Sequence, residues 1–406
     1  MKTSDLFQLK KDCCGCELCS QLCPQHIIEM LPDQEGFLYP HIKDEDQCVN
    51  CNQCIKCCPL KSKSGKQINL LSNYGGFSKD ESDIKKSSSG GFATILGRYF
   101  IENRGAVYGV RYSDDCKSAL YDKATSVSEL ERFRTSKYIQ PRKGDIFKRV
   151  KKDLEANQNV LFVGLPCDIA SLKCFLKKDY EGLLLVSLIC HGPTSPLVHK
   201  QFCDELELHH NSKLSFISVR HKVEGCYPYY IKADFEDGST HHEQFAKTDY
   251  DVAFQFMKRP SCSACPFKLY NNEYGIQSDL IIGDFHFAHP GMVHYNKWGS
   301  SQISVITEKG QSIVNRLSPS FNLSPITVGE ATHYNIALIE PIPQKINRSS
   351  FSNTFAKKSL HSAASLLSVR LIKCFEHVKG TIIYKIALIT RPLRLSLKRL
   401  IMRNHE

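Results

Sequence analysis

Runs of apolar residues in the middle of the chain predict alternating strands and helices. Val160–Gly164 and Leu183–Ile189 are continuously apolar, as is typical of strands buried on both faces, and Asp168–Lys178 between them predicts a short helix. A strand–helix–strand unit of this kind predicts parallel neighbouring strands. Further strands are predicted at Ala106–Tyr112, Phe216–Arg220, Tyr229–Phe235, Asp279–Asp284 and Ile303–Thr307.

Two segments have a helical spacing of apolar residues. The first follows Ser87-Ser-Ser-Gly-Gly91, where Phe92, Ile95, Leu96, Tyr99 and Phe100 form one apolar stripe. The second begins near Ser359, where apolar residues alternate with Lys and Arg toward the end of the chain. An amphipathic basic helix of this type favours an anionic membrane surface, and docking on the body of the protein or on a partner is the alternative.

Two cysteine runs near the start of the chain share one spacing. Each reads Cys-x2-Cys-x2-Cys-x3-Cys-Pro, beginning at Cys13 and at Cys48. This is the bacterial ferredoxin run for [4Fe–4S] clusters, in which the fourth cysteine binds the neighbouring cluster. A structural zinc site needs neither the third step nor the Cys-Pro end. The predicted ligand sets are Cys13, Cys16, Cys19 and Cys58 for one cluster, and Cys48, Cys51, Cys54 and Cys23 for the other.

The cysteine content bears on the compartment. The chain has 19 cysteines in 406 residues, and its first residues have neither the apolar segment nor the cleavage site of a secretory signal. Cysteines that bind iron–sulfur clusters need a reducing environment. We therefore expect a cytoplasmic protein, with peripheral attachment to the inner face of the membrane if the basic tail binds lipid.

The positive charge is concentrated in the tail. Residues 341–406 contain thirteen Lys or Arg and two Asp or Glu, which accounts for the whole formal net charge of +11. The remaining residues are neutral in sum, so a nucleic-acid-binding surface on the body is not supported.

Four further cysteines follow predicted strands or form a pair. Cys167 comes after the strand Val160–Gly164, and Cys190 comes after Leu183–Ile189. The carboxyl ends of parallel strands lie at one edge of a sheet, so these two thiols should lie on the same side. With the pair Cys262 and Cys265 they could hold a third [4Fe–4S] cluster. The alternatives are inert buried cysteines and a small zinc or redox pair.

The run that precedes Phe92 is a candidate phosphate site. Ser89, Gly90 and Gly91 open a helix, where free backbone N–H groups and the helix dipole favour an anion. Serine and glycine also begin helices that bind no ligand. Arg132, Arg134 and Lys137 could neutralise a pyrophosphate, or they could form an ordinary solvated surface.

Several short sequence phrases follow one another along the chain. They are Ser-Ser-Gly-Gly-Phe92, Thr-Ser-Lys137-Tyr, Val-Gly-Leu-Pro-Cys167, Ile-Cys190-His-Gly-Pro, Cys262-Ser-Ala-Cys265-Pro-Phe and Ser278-Asp-Leu-Ile-Ile-Gly-Asp284-Phe, followed by Ser300–Gly310 and Asn347-Arg-Ser-Ser-Phe351. In this shared order they resemble the coenzyme F420 hydrogenase/dehydrogenase beta-subunit family.

The resemblance implies a flavoprotein that binds FAD and iron–sulfur clusters. Such a protein passes electrons between one-electron carriers and a two-electron partner, often the deazaflavin F420. It further implies the third cluster at Cys167, Cys190, Cys262 and Cys265, and cofactor contacts at Ser89, Gly90, Gly91 and Lys137. The expected partners are a ferredoxin or another redox protein, and an F420-like or other small-molecule acceptor.

Two departures from the family pattern concern the acceptor. Arg220-His-Lys-Val-Glu-Gly-Cys226 stands where an aromatic-rich Arg-Asp-Lys-x-x-Gly-Trp phrase is expected, and His286 replaces a tryptophan. Relatives also occur in bacteria without obvious use of F420, often among exopolysaccharide genes. The alternatives are therefore a reductase in exopolysaccharide or nucleotide-sugar metabolism, and a non-catalytic electron-relay subunit of a partner enzyme.

The predicted architecture combines α+β and α/β parts in three regions. A bacterial-type 2[4Fe–4S] ferredoxin domain at residues 1–62 is followed by a larger α/β flavin-binding domain at 70–355. A basic helical tail at 356–406 completes the chain. No catalytic residue is predicted from the sequence.

Overall fold

The computed structural model describes residues 1–63, 69–333 and 335–372. Residues Met1–Lys345 form one compact unit, and a second unit begins at Ile346. Most of the predicted basic tail, from residue 373 onward, lies outside the described residues. The described helices of the second unit are Arg348–Lys357 and Leu360–Ala364.

The strands of the first unit form three sheets. They are β1 (Ile28–Pro32), β2 (Leu38–Ile42), β3 (Ser72–Ser78), β4 (Ala106–Tyr112), β5 (Ala119–Ala124), β6 (Val160–Gly164), β7 (Leu183–Leu188), β8 (Leu214–Lys222), β9 (Tyr229–Phe235), β10 (Thr240–Gln244), β11 (Leu280–Asp284), β12 (Ser301–Val305) and β13 (Phe321–Pro325).

The helices lie between these strands and at both ends of the described chain. They are α1 (Thr3–Leu6), α2 (Leu18–Leu22), α3 (Gln53–Lys56), α4 (Glu81–Lys85), α5 (Phe92–Glu102), α6 (Val127–Leu130), α7 (Ile146–Glu155), α8 (Pro166–Leu176), α9 (Pro196–His210), α10 (Asp249–Phe256), α11 (Glu308–Leu317), α12 (Val328–His333), α13 (Arg348–Lys357) and α14 (Leu360–Ala364).

The largest sheet is mixed and has the order β13-β3-β12-β11-β7-β6-β4-β5. Strands β4, β6, β7 and β11 are parallel, whereas β5, β12, β3 and β13 pair antiparallel with their neighbours. The predicted parallel pairing of the two apolar strands is therefore confirmed. A hairpin, β1-β2, and an antiparallel sheet, β10-β9-β8, complete the unit.

Helices cover both faces of the large sheet, and the side chains along its strands point alternately into two apolar cores. Val160 and Phe162 of β6 face a core with α7 and α8, whereas Leu161 faces a core with α5 and α11. Side chains in a strand point alternately to opposite faces, so a continuous apolar run buries both. The predicted mixed α/β fold class is confirmed by this arrangement.

The helix predicted at Asp168–Lys178 begins two residues earlier, at Pro166. Proline suits the first position of a helix, because its fixed φ is helical and its missing N–H has no partner there in any case. Cys167 therefore lies in the first turn of α8 rather than in the loop before it.

The N-terminal segment (residues 1–63) packs against the large sheet. Leu18 of α2 belongs to the same apolar core as Phe147 of α7 and Phe162 of β6. The buried Glu17 carboxylate accepts hydrogen bonds from the backbone N–H of Lys143 at 3.0 Å and of Gly144 at 3.3 Å. These contacts bring the first cysteine run close to the carboxyl ends of the parallel strands.

Within the described ranges, no helix is both long and apolar enough to cross a membrane.

Asp279 joins the start of β11 to β7, so its removal should destabilise the sheet. Its carboxylate accepts hydrogen bonds from the Leu185 N–H at 2.8 Å and from the Thr307 hydroxyl at 2.6 Å. We expect Asp279→Ala to lower the free energy of unfolding by roughly 1–3 kcal/mol, because the buried donors lose their acceptor. Chemical denaturation measures this change. Ser312→Ala at an exposed position of α11 is the control, and equal stability of the two variants would contradict the assignment.

Candidate functional site

The two cysteine runs adopt the same local backbone. In each run the residue after the second cysteine has a left-handed conformation, with φ +59° at Glu17 and +57° at Asn52. A short helix begins at the next residue in both cases, α2 and α3. The repeat in the sequence is therefore also a repeat in the structure.

The eight cysteines of these runs line two cavities. We call the first group the outer set, because Cys51 is exposed to solvent. We call the second group the inner set, because Cys16 is buried against the large sheet. The outer set is Cys23, Cys48, Cys51 and Cys54. The inner set is Cys13, Cys16, Cys19 and Cys58, and Cys54 also lines its cavity.

The thiols of the inner set influence one another's pKa values, and the pKa is raised at Cys13, Cys19 and Cys58 but lowered to about 7 at Cys16. Burial raises the pKa of the Cys19 thiol well above its ordinary value, and the charges of Cys16, Cys13 and Cys58 add to the shift. Burial likewise raises the pKa of Cys58 to about 12, with further contributions from Cys16 and Cys13. Thiols in these positions are protonated at neutral pH unless a cation or a metal stabilises the thiolates.

The other four predicted ligands lie together at the edge of the large sheet, and we call them the sheet-edge set. Burial raises the pKa of Cys262 well above its ordinary value, and the charges of Cys190, Cys167 and Cys265 raise it further. Strands β6 and β7 are parallel neighbours, so the segments that follow them start from the same edge. The structure therefore brings together all four cysteines of this set.

A glycine permits the close approach of two segments in the sheet-edge set. Gly192 has φ +88°, and a Cβ atom there would lie 3.2 Å from the Cys262 sulfur. The backbone N–H of Gly192 donates to the Cys190 sulfur at 3.3 Å. The Cys-His-Gly-Pro phrase thus supplies the Cys190 thiol, a hydrogen-bond donor to that thiol and the space that the Cys262 sulfur needs.

Cys14 lies between the inner set and the sheet-edge set. Hydrogen bonds with Cys16 and Cys167 are the main causes that raise the pKa of Cys14 well above its ordinary value. Its backbone carbonyl accepts from the Gln140 side chain at 2.8 Å. The spacing of the run leaves Cys14 outside the ligands, and nothing in the sequence indicates this bridging position.

A buried cation occupies the same junction. The Lys143 ammonium lies 3.2 Å from the Asp168 carboxylate, and both side chains are almost fully buried. Burial lowers the pKa of Lys143, but the charges of Asp168, Glu17, Cys167 and Cys16 outweigh this effect, and its pKa is raised. A positive charge is therefore maintained between the two cysteine sets.

Among the described residues, no three His, Cys, Asp or Glu side chains are grouped tightly enough to share a single metal ion. A four-iron cluster is larger than one ion, and each of its four thiolates binds its own iron. Its cysteines are correspondingly further apart.

The predicted phosphate contacts are partly occupied by the protein itself. The Ser89 hydroxyl donates to the Ser300 carbonyl at 2.9 Å, and the Gly90 N–H donates to the Ser301 hydroxyl at 3.0 Å. Gly91 has φ +93° and precedes the first residue of α5. These contacts and the hydrogen bond from the Ser78 N–H to the Gly90 carbonyl hold the serine–glycine turn against β3 and β12.

Lys137 lies on a loop that contacts this turn. The neighbouring Ser136 N–H donates to the Ser88 hydroxyl at 2.8 Å. The Lys137 ammonium donates to the carbonyls of Arg134 at 2.7 Å and of Arg132 at 3.2 Å, and burial lowers its pKa to about 7. The loop is therefore next to the serine–glycine turn, while the amine is held by its own loop.

A buried ion pair near this turn was not anticipated as a site. Arg220 of β8 is paired with Asp284 at the carboxyl end of β11 at 2.5 Å, and also donates to the Tyr138 hydroxyl at 3.0 Å. The guanidinium lies over the Tyr229 ring at 4.8 Å. Its Nε atom is buried and has no hydrogen-bond partner among the described residues, so one donor remains for a ligand.

Lys222 connects this ion pair to the serine–glycine turn. Its ammonium donates to the Ser89 carbonyl at 2.8 Å and to the Ile84 carbonyl at 2.9 Å. Burial lowers its pKa to about 8. The departure of residues 220–226 from the family phrase was the only sequence signal that singled out this region.

Comparison with known proteins bears on the central part of the chain. Residues 157–327 match the family model for the C terminus of the coenzyme F420 hydrogenase/dehydrogenase beta subunit. One similar solved chain comes from the F420-reducing [NiFe] hydrogenase complex of Methanosarcina barkeri, with 17% identity and a TM-score of 0.47. That match covers 73% of this chain and 96% of the other. No curated protein matches the sequence.

The matched residues include β6 to β12, the sheet-edge set and the Arg220–Asp284 pair. The resemblance predicted from the sequence is thus confirmed over residues 157–327, which match the C-terminal model of the coenzyme F420 hydrogenase/dehydrogenase beta subunit and indicate a redox role of that kind.

Proposed function

We propose that this chain is an iron–sulfur flavoprotein oxidoreductase. It passes electrons between ferredoxin-type [4Fe–4S] clusters and FAD, and on to a two-electron acceptor. The acceptor is an F420-like coenzyme or a biosynthetic substrate. One observation carries the proposal: the three cysteine sets follow one another through shared neighbours. Cys54 lines the cavities of both the outer and the inner set, and both Cys16 and Cys167 influence the pKa of the Cys14 thiol.

The residues of the three sets fit the chemistry of clusters. Each set supplies four thiols, the ligand number of a [4Fe–4S] cluster. The Gly192 N–H and the buried cation Lys143 stabilise negative charge on neighbouring sulfur atoms. An electron from a ferredoxin or another redox protein would enter at the outer set, where Cys51 is exposed.

A flavin would connect the clusters to the acceptor. A cluster transfers one electron at a time, whereas hydride transfer needs two, and a bound flavin converts between the two modes. The start of α5 after Gly91, together with Lys222 and the free Nε of Arg220, offers donors and positive charge for an anionic cofactor. Ser89, Gly90 and Lys137 would shape this site through the contacts described above.

The geometry favours an enzyme over a relay subunit. A relay needs only the cysteine sets, whereas this chain also holds the buried Arg220–Asp284 pair at the carboxyl end of β11. Ligands in open α/β sheets bind at the carboxyl ends of the strands. A reductase in exopolysaccharide or nucleotide-sugar metabolism is the second candidate, because His286 and the segment 220–226 lie beside this pair and depart from the family pattern.

Iron content tests the third cluster. The chain purified without oxygen should contain about twelve irons, as three four-iron clusters require. Cys167→Ser should contain about eight, because the sheet-edge set loses one ligand. Cys174→Ser is the matched control, since that cysteine lies on the same helix as Cys167, α8, but outside all three sets. A wild-type chain with about eight irons would exclude the third cluster.

Flavin content tests the cofactor site. Lys222→Met should reduce the FAD bound per chain several-fold, because a buried positive charge beside the Ser89 carbonyl is lost. Lys200→Met removes an exposed lysine from a helix-surface ion pair and should retain full occupancy. The absorbance spectrum and the released flavin provide the measurement. The absence of flavin from both Lys222→Met and Lys200→Met would refute the FAD assignment.

Acceptor reduction separates an enzyme from a relay. The isolated chain, reduced with ferredoxin or dithionite, should reduce F420 or a flavin-compatible acceptor with multiple turnovers. Asp284→Asn should lower this rate at least tenfold, since Arg220 loses its buried counter-charge at the proposed site. Full cluster reduction without turnover on any acceptor would favour the relay subunit.

A further inference from the structure

Arg259 is a buried side chain that contacts the inner set from the large sheet domain. It is 1% exposed and lies three residues before Cys262. Its Nε atom donates to the Cys13 carbonyl at 2.8 Å, and one Nη atom lies 3.6 Å from the Cys13 sulfur. The other Nη atom donates to the Gln140 side chain at 2.8 Å. The guanidinium is therefore held rigidly against a predicted cluster ligand.

The hydrogen bonds of Arg259 go to neutral oxygen atoms and to one cysteine sulfur. Within the described ranges, its hydrogen bonds go to carbonyls, to Gln140 and to the Cys13 sulfur, and none goes to a carboxylate. A buried cation is costly unless an anion compensates it, and a thiolate at Cys13, 3.6 Å from the guanidinium, would provide that compensation.

The first cysteine run has a residue that makes room for this guanidinium. Gly15 has φ +66°, and a Cβ atom there would lie 2.6 Å from the Arg259 Nη atom. The Tyr39 ring lies 4.3 Å from the guanidinium on the other side. The N-terminal segment thus forms a closed site for one arginine that belongs to a distant part of the chain.

We propose that Arg259 is a positioning residue whose fixed positive charge raises the reduction potential of the cluster held by the inner set. This inference rests on the proposed function. If one electron passed from a cluster at the outer set to a cluster at the inner set, the inner cluster would gain one negative charge and would need no proton. A cation beside Cys13 would stabilise that product. Arg259 would therefore favour electron transfer from the outer set to the inner set.

A redox titration of the full chain tests this proposal. The three cluster potentials are measured by electron paramagnetic resonance in the wild type and in Arg259→Met. We expect one potential to fall by at least about 59 mV, which is a tenfold change in the equilibrium constant of a one-electron couple. The shifted signal should be the one that is lost in Cys19→Ser. Arg111→Met removes a partly buried arginine that pairs with Asp122 and should shift no potential.

The conservative variant Arg259→Lys separates charge from shape. It should retain the inner cluster with a smaller shift in the same direction, because it keeps the charge and loses the rigid fork. Unchanged potentials in Arg259→Met would overturn the proposal. If Arg259→Met loses four irons and Arg259→Lys keeps them, charge compensation by Arg259 is supported. If both variants lose four irons, the shape of the Arg259 side chain is what matters, and the proposal fails. The iron content of the wild type is measured first, because fewer than about eight irons, the number in two four-iron clusters, would refute the proposed function rather than the role of Arg259.

Discussion

The arrangement of the cysteine sets depends on the attachment of the N-terminal segment by one buried carboxylate. Glu17 follows Cys16 directly, and it accepts hydrogen bonds from two backbone N–H groups just before α7. A buried carboxylate that bonds to fixed backbone donors has a defined position and orientation. Because Cys16 and Cys14 flank this region, their positions relative to Cys167 follow from it. An interaction that involves no cysteine thus helps to set the separation of the inner and sheet-edge sets.

The central strands of the fold could be predicted from the sequence, whereas β3, which lies between β12 and the edge strand β13, could not. β6 and β7 are continuous apolar runs, because both of their faces are buried. β3 is Ser72-Asn-Tyr-Gly-Gly-Phe-Ser78, which has neither an apolar run nor a regular alternation. Its glycines are required instead by close packing, since a Cβ at Gly76 would clash with the Asn322 carbonyl of β13. Such a strand is determined by its neighbours in the sheet, which local sequence does not specify.

The same distinction applies to the candidate site. Cysteine spacing predicted the outer and inner sets, because ferredoxin-type ligands recur at fixed intervals along the chain, whereas the sheet-edge set was predicted from the ends of two parallel strands and a cysteine pair. The buried cations Lys143, Arg220 and Arg259 have no such spacing. Arg259 is separated from its partner Cys13 by 246 residues, so their contact is a property of the folded chain. In the first cysteine run, only Gly15 of the Cys14-Gly15-Cys16 phrase indicates from the local sequence that another side chain approaches closely.

The sequence distances within the three sets have a consequence for biosynthesis. The outer and inner sets lie entirely within residues 13–58, so their ligands can meet soon after that segment leaves the ribosome. The sheet-edge set needs Cys167 and Cys265 and therefore the completed β6, β7 and the segment before β11. Contacts between distant residues form late in folding, because the loop-closure entropy must first be overcome. Iron would accordingly be inserted in at least two stages, with the N-terminal segment loaded before the large sheet closes over it.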